Sequence, residues 1–163
     1  MSAPVVVVAD TTPLNYLIQI GHAEILGDLF GQVLIPKAVL AELGHPGAPQ
    51  AVTHWLQAPP AWLRVVPVLG LIEALDLGKG EAEAISLAVE QQVKLVLMDE
   101  RKGRAVAESK GFLPVGTLTL LDLADERRLL DGCRALDALR QTNFRASAEL
   151  MGRFEAKMSA RRA

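Results

Sequence analysis

The chain has 163 residues, half of them apolar and only 4% aromatic, with a formal net charge of −2. That length suits one domain, 1–163, with an aliphatic core, and no apolar run approaches the roughly 20 residues a membrane helix needs. A single cysteine, Cys133, excludes an internal disulfide and a multi-cysteine zinc site, and no secretory signal is visible, so a cytoplasmic protein with no membrane partner is expected.

Pro4 to Ala9 reads as a buried strand, because its apolar residues are continuous and mostly β-branched. Asp10-Thr11-Thr12-Pro13 then opens a helix, with Thr12 as N-cap and Pro13 in the first helical position, running to about Ile20 before Gly21. A second helix covers about Ala23 to Phe30, followed by a short strand Val33 to Ile35. Pro36 opens a helix that ends near Gly44, and His45 to Pro49 is a loop. A short helix carrying Trp55 precedes Pro59-Pro60, and Leu63 to Val68 reads as a strand whose Pro67 argues for a sheet edge. Gly78-Lys79-Gly80 is a turn, Glu81 to Gln91 a helix, Lys94 to Met98 a central strand, Glu100 to Ser109 a helix, and Phe112 to Val115 the last strand. From Thr117 only helices follow, at about 117–130, 133–141 and 147–161. Strand–helix alternation predicts an α/β fold with a mainly parallel sheet covered by helices, and residues 117–163 form a helical C-terminal extension.

Asp10 and Asp99 each end an apolar run, while Glu42 and Glu81 lie on neighbouring helical segments. Ligands of open α/β sheets collect at the carboxyl ends of strands. Four carboxylates brought together there repel one another unless a cation or protons compensate, and oxygen-only ligation favours Mg²⁺ or Mn²⁺ over zinc. Such a cation would orient water and stabilise charge on a phosphodiester during hydrolysis. Each acid also has a plain structural reading: Asp10 as a turn residue, Glu42 and Glu81 as solvated helix residues. Thr11 and Thr12 could hydrogen-bond a carboxylate or a phosphate, Asn15 lies one turn into the first helix, and Glu83, two positions from Glu81, should face elsewhere. Glu100, Arg101 and Arg104 follow Asp99, where an arginine could reach a phosphate or hold the acids, or simply face solvent.

Charge is divided unevenly along the chain. Residues 1–100 carry 4 Lys/Arg and 11 Asp/Glu, and residues 101–163 carry 13 and 8. An acidic site beside a basic rim would suit a polyanion, though an ordinary basic helical surface has the same composition. His22, His45 and His54 lack metal-ligand spacing. Trp55 and Trp62 could stack on bases, with core packing the plainer role.

The segments Val7 to Leu14, Val39 to Leu43, Gly80-Glu81-Ala82-Glu83-Ala84-Ile85 and Leu97 to Arg104 resemble a PIN domain, the nuclease fold of VapC-type toxins. Gly116-Thr117-Leu118 and Leu136 to Arg145 extend the resemblance to an uncharacterised prokaryotic PIN-like branch, over nearly the whole chain. The resemblance implies a three-layer α/β/α domain and a Mg²⁺- or Mn²⁺-dependent endoribonuclease. Asp10, Glu42, Glu81 and Asp99 would hold metal and activate water. It further implies a homodimer and a small antitoxin protein that blocks the site. Two features depart from the toxin pattern: glutamate stands at position 81 in place of aspartate, and Val115-Gly116-Thr117 brings no further carboxylate, for which Glu100 is the nearest substitute.

The leading expectation is therefore a metal-dependent ribonuclease acting as the toxin of a type II toxin–antitoxin pair. A PIN-like module with a weakened site, binding nucleic acid or protein without turnover, is the alternative from another class. A metal-dependent phosphoesterase acting on DNA or small phosphates is a third.

Overall fold

The computed structural model describes residues 4–73 and 76–162. In chain order the elements are β1 (Val5–Ala9), α1 (Thr11–Gln19), α2 (Ile25–Phe30), β2 (Gly31–Ile35), α3 (Lys37–Leu43), α4 (Gln50–Trp55) and β3 (Leu63–Val65). They continue with α5 (Lys79–Gln91), β4 (Leu95–Leu97), α6 (Arg101–Ser109), β5 (Leu113–Val115), α7 (Thr117–Glu126), α8 (Gly132–Arg140) and α9 (Ala148–Ala160).

The five strands form one all-parallel sheet in the order β3-β2-β1-β4-β5. Alternation along each strand divides the side chains between two helical layers. Val7, Ala9, Val33, Ile35 and Leu97 face α1, α2 and the C-terminal helices, in a core that takes in Leu136, Met151 and Met158. Val8, Leu34, Val96 and Met98 face the other way, against Ala84, Ile85 and Leu87 of α5 and Val106 of α6. The result is a three-layer α/β/α sandwich. It explains why β1 and β4 read as unbroken apolar runs: both faces are covered.

Several boundaries differ from the sequence expectation. Asp10, in extended backbone, is the N-cap residue of α1, and the helix begins at Thr11 instead of Pro13. Pro13 is still tolerated, because the first four N–H groups of a helix have no intrahelical acceptor. Helix α5 starts at Lys79, two residues early, which turns Gly80 into a first-turn helical residue. β1, with β2 and β4 on either side, is the middle strand, and β4 lies one place from it. β3 stops at Val65; it is the sheet edge, and Pro67 lies just beyond it. α7 ends at Glu126, not Leu130, because Arg128 turns left-handed at φ 59° and Leu129 bonds back to the Ala124 carbonyl.

The C-terminal helices are tied down by charge as well as by packing. Asp122 and Asp125 are buried on α7. Lys157 pairs with Asp122 at 2.8 Å, Arg161 reaches both acids, and Arg162 bridges Asp125 and Asp131. Burial works against the charged form of Asp125, but hydrogen bonds from Arg162, the Gly132 N–H and Arg161 hold its carboxyl below the usual range. Trp55 and Trp62 pack against the core with ring centroids 6.0 Å apart, and Gly27 leaves the space that Trp62 fills. Their role is packing.

Candidate acidic site at the carboxyl edge of the sheet

In a parallel sheet every helix that follows a strand starts at the same edge, and at this edge the four acids meet. The Asp10 N–H donates to the Leu97 carbonyl at 2.9 Å and extends the β1–β4 pairing by one residue. Asp99 lies two residues past β4. α3 and α5 pack against each other and bring Glu42 and Glu81 to the same place.

Three of the four carboxylates are held at helix starts. Both Asp99 oxygens accept from Thr117, one from its N–H at 2.9 Å and one from its hydroxyl at 2.6 Å. Glu42 accepts from the Thr11 hydroxyl and from the Gly80 N–H, the latter at 3.2 Å. Glu81, the third residue of α5, reaches back to the Gly78 N–H, which is half of a capping box. Glu83 serves elsewhere, accepting from the Ala38 N–H in the first turn of α3.

Three glycines make room for these acids. A Cβ on Gly80 would lie 2.6 Å from Glu42 Oε1, one on Gly103 2.5 Å from Glu81 Oε2, and one on Gly116 2.9 Å from Asp99 Oδ1. Side chains at these positions would displace the carboxylates.

The electrostatics are strained. Asp10 is only 3% exposed. Burial, with repulsion from Glu81, Glu42 and Asp99, pushes its carboxyl from 3.8 to about 7, against a lowering contribution from the Thr11 backbone. Burial and then Glu100 raise Glu81. Burial also raises Asp99, although Thr117 and Arg104 act against it. Capping leaves two oxygens unexplained: Asp10 Oδ1 and Glu81 Oε2 are buried without a hydrogen-bond partner. Buried polar atoms are rarely left so, and bare carboxylate oxygens in an acidic cluster suit a hard divalent cation. Among the described residues no three acidic, histidine or cysteine side chains converge closely enough to enclose such an ion. The donors are of the right kind but do not close on one point, and of the four only Asp99 lines the adjoining cleft, with Glu100, Thr12 and Tyr16.

Of the other residues read from sequence, Thr12 and Arg101 line the cleft beside Asp99. Arg104 reaches the Gly116 side of Asp99. Glu100 lines the cleft and raises both Glu81 and Asp99. Asn15 is half-buried on α1 and lines neither cavity next to Asp99.

Sequence reasoning missed the role of Thr117, and of Tyr16, Asn143, Phe144 and Arg145, which line the cleft with Asp99. Tyr16 carried a signal, since it stands one turn after Thr12 and so on the same helix face. The Tyr16 hydroxyl donates to Asn143 across 127 positions of sequence, a pairing no local pattern announces.

No helix among the described residues is long and apolar enough to cross a membrane. A family model described as DUF3368: PIN domain matches residues 6–160. No curated protein matches the sequence. The chain belongs to this PIN-domain family, whose fold is a nuclease fold generally dependent on divalent metal.

Proposed function

With PIN-family membership as the premise, we propose that this chain is a metal-dependent endoribonuclease, the toxin half of a type II toxin–antitoxin pair, working in the cytoplasm as a homodimer and held in check by a small antitoxin protein. The observation that carries the nuclease reading is the pair of buried, unpartnered oxygens, Asp10 Oδ1 and Glu81 Oε2, inside a four-carboxylate cluster. Helix-start N–H groups and the Thr11 and Thr117 hydroxyls account for the hydrogen bonds these acids make and leave those two atoms unaccounted for.

In this reading Asp10, Glu42, Glu81 and Asp99 would hold Mg²⁺ or Mn²⁺. When bound, such a cation would supply charge stabilisation at the phosphoryl oxygens and a more acidic water. Thr117 fixes the direction of Asp99, and Thr11 that of Glu42. Arg104, beside Asp99, reduces the negative charge that an incoming phosphate meets. Water adds to phosphorus and its proton passes to a cluster carboxylate, the bond to the leaving ribose oxygen breaks, and that oxygen takes up a proton from solvent.

The test is cleavage of a mixed structured and single-stranded RNA pool in Mg²⁺, Mn²⁺ or EDTA, with Asp10→Asn and Asp99→Asn alongside. Metal-dependent cleavage lost in both variants is expected; cleavage that survives both counts against the site. For the toxin role, induced expression should arrest growth with the wild type and not with Asp10→Asn. A binding module without turnover is the second reading, favoured by the failure of three donors to converge. RNA binding with no cleavage under any metal would select it.

A further inference from the structure

The cleft that Asp99 and Glu100 line has a wall built from parts far apart in sequence. Tyr16 comes from α1, and Asn143, Phe144 and Arg145 from the connection between α8 and α9. The Tyr16 hydroxyl donates to Asn143 Oδ1 at 2.9 Å, and the Tyr16 ring meets Phe144 edge-on with centroids 5.1 Å apart. Within the connection, the Thr142 hydroxyl donates to the Leu139 carbonyl and accepts from the Phe144 N–H. This segment is ordered by its own bonds and pinned to α1.

The chemistry of the wall differs from that of the two acids. With its oxygen engaged, the Asn143 amide keeps an N–H₂ donor. Arg145 is exposed and, like Arg101, forms no ion pair with an acid among the described residues. The contrast with Arg140, Arg161 and Arg162 is sharp, since each of those is committed to carboxylates. Two uncommitted guanidiniums in the cleft that Asp99 also lines are placed to receive anionic backbone. The cleft holds about 380 Å³, within the range of small-molecule sites and so wide enough for one nucleotide rather than a duplex. Single-stranded RNA is recognised by splayed bases that meet aromatic rings and amide groups.

We propose that the cleft walled by Tyr16, Asn143 and Arg145 is a subsite for one unpaired ribonucleotide next to the phosphodiester that is cut, with Arg145 holding its phosphate and Asn143 reading its base. The subsite rests on the nuclease reading for its purpose, but its binding can be measured without turnover.

In the Asp10→Asn background, Arg145→Ala should weaken binding of fluorescent single-stranded RNA about tenfold at low salt and flatten the salt dependence by about 0.7 in the log–log slope. Arg145→Lys should retain part of the affinity, and thermal melts should show both variants folded. In otherwise wild-type protein, Asn143→Ala and Tyr16→Phe should move the distribution of cleavage positions on an RNA pool. Unchanged RNA affinity in Arg145→Ala overturns the proposal, as do unchanged cleavage positions or an Arg145-dependent preference for matched DNA. An active protein indifferent to Arg145 refutes the subsite and spares the nuclease. An inactive protein that binds RNA through Arg145 refutes the nuclease and spares the subsite.

Discussion

Asp10→Asn is expected to stabilise the metal-free protein at pH 8 while removing cleavage. The folded carboxyl keeps its proton up to about pH 7, against an ordinary value of 3.8. Between those values the folded state binds more protons than the unfolded chain, so stability falls as pH rises through the window. Roughly three decades of proton affinity, at about 1.4 kcal/mol each, set a ceiling on the order of 4 kcal/mol. Local relaxation and water entry reduce this, and about 2 kcal/mol is the working expectation. An asparagine of the same shape carries no charge and escapes the loss. For a chain of this size the gain corresponds to about 4–8 °C in Tm. The assay is thermal unfolding in EDTA at pH 5 and pH 8, wild type beside variant. The variant's advantage should be small at pH 5, where only the lower part of the window between 3.8 and about 7 has been crossed, and largest at pH 8. Mn²⁺ should raise the wild-type Tm at pH 8 and raise the variant's much less, since ligand binding to the folded state adds its own free energy. A variant that is equally or less stable at pH 8 would refute the claim that Asp10 is a buried, frustrated carboxylate.

Three further outcomes follow from the same geometry. Thr117→Val removes the hydroxyl donor to Asp99 and should cost about 1 kcal/mol in denaturant unfolding; with less opposition to burial, Asp99 should titrate higher and the acidic limb of the pH–rate profile should move up. Gly103→Ala gains helix propensity of about 0.5–1 kcal/mol but sets a methyl against Glu81 and Met98, so the unfolding free energy from urea melts should change by less than about 1 kcal/mol while cleavage falls at least about tenfold. Asp125→Ala leaves Arg161 with Asp122 alone and Arg162 with Asp131 alone, and leaves the Gly132 N–H unpaired; because the arginines are partly solvated and keep one partner each, the loss should be about 2–3 kcal/mol, below that of a fully buried pair. The Asp125 contribution should fade as pH drops below about 4, since a depressed carboxyl loses its stabilising charge on protonation.

The layer order and the acidic edge were legible in the sequence because they follow from local signals. Continuous apolar runs mark β1 and β4, and an aspartate just past each run is where a parallel sheet exposes a side chain to a ligand. The start of α5 was misread because Gly78-Lys79-Gly80 looks like a turn; a glycine can also stand in the first turn of a helix when a neighbouring acid needs its N–H. The glycines at 80, 103 and 116 carry no message by themselves. Their use emerges only when Glu42, Glu81 and Asp99 approach from other elements. Tyr16–Asn143 and the Asp125–Arg162 pair join residues 127 and 37 positions apart, so no window of sequence contains them.

Repulsion among four carboxylates would pull this edge of the sheet apart if nothing opposed it, and the parallel architecture supplies the opposition. α1, α5 and α7 all begin here, each with unsatisfied N–H groups and the positive end of its dipole. Asp10 draws on the Thr11 backbone, Glu42 and Glu81 on the start of α5, and Asp99 on the start of α7. One arrangement thus satisfies the helix termini and assembles the acids, and Arg104 beside Asp99 adds to the opposition. It also explains the place of the C-terminal helices. α7 holds Asp99 at its first residue and is anchored at its other end by Lys157, Arg161 and Arg162 of the final segment. The connection between α8 and α9 then returns Arg145 to the cleft. Cutting the chain before α8 should therefore release both the anchor of α7 and one wall of the cleft, and should reduce RNA binding as well as stability.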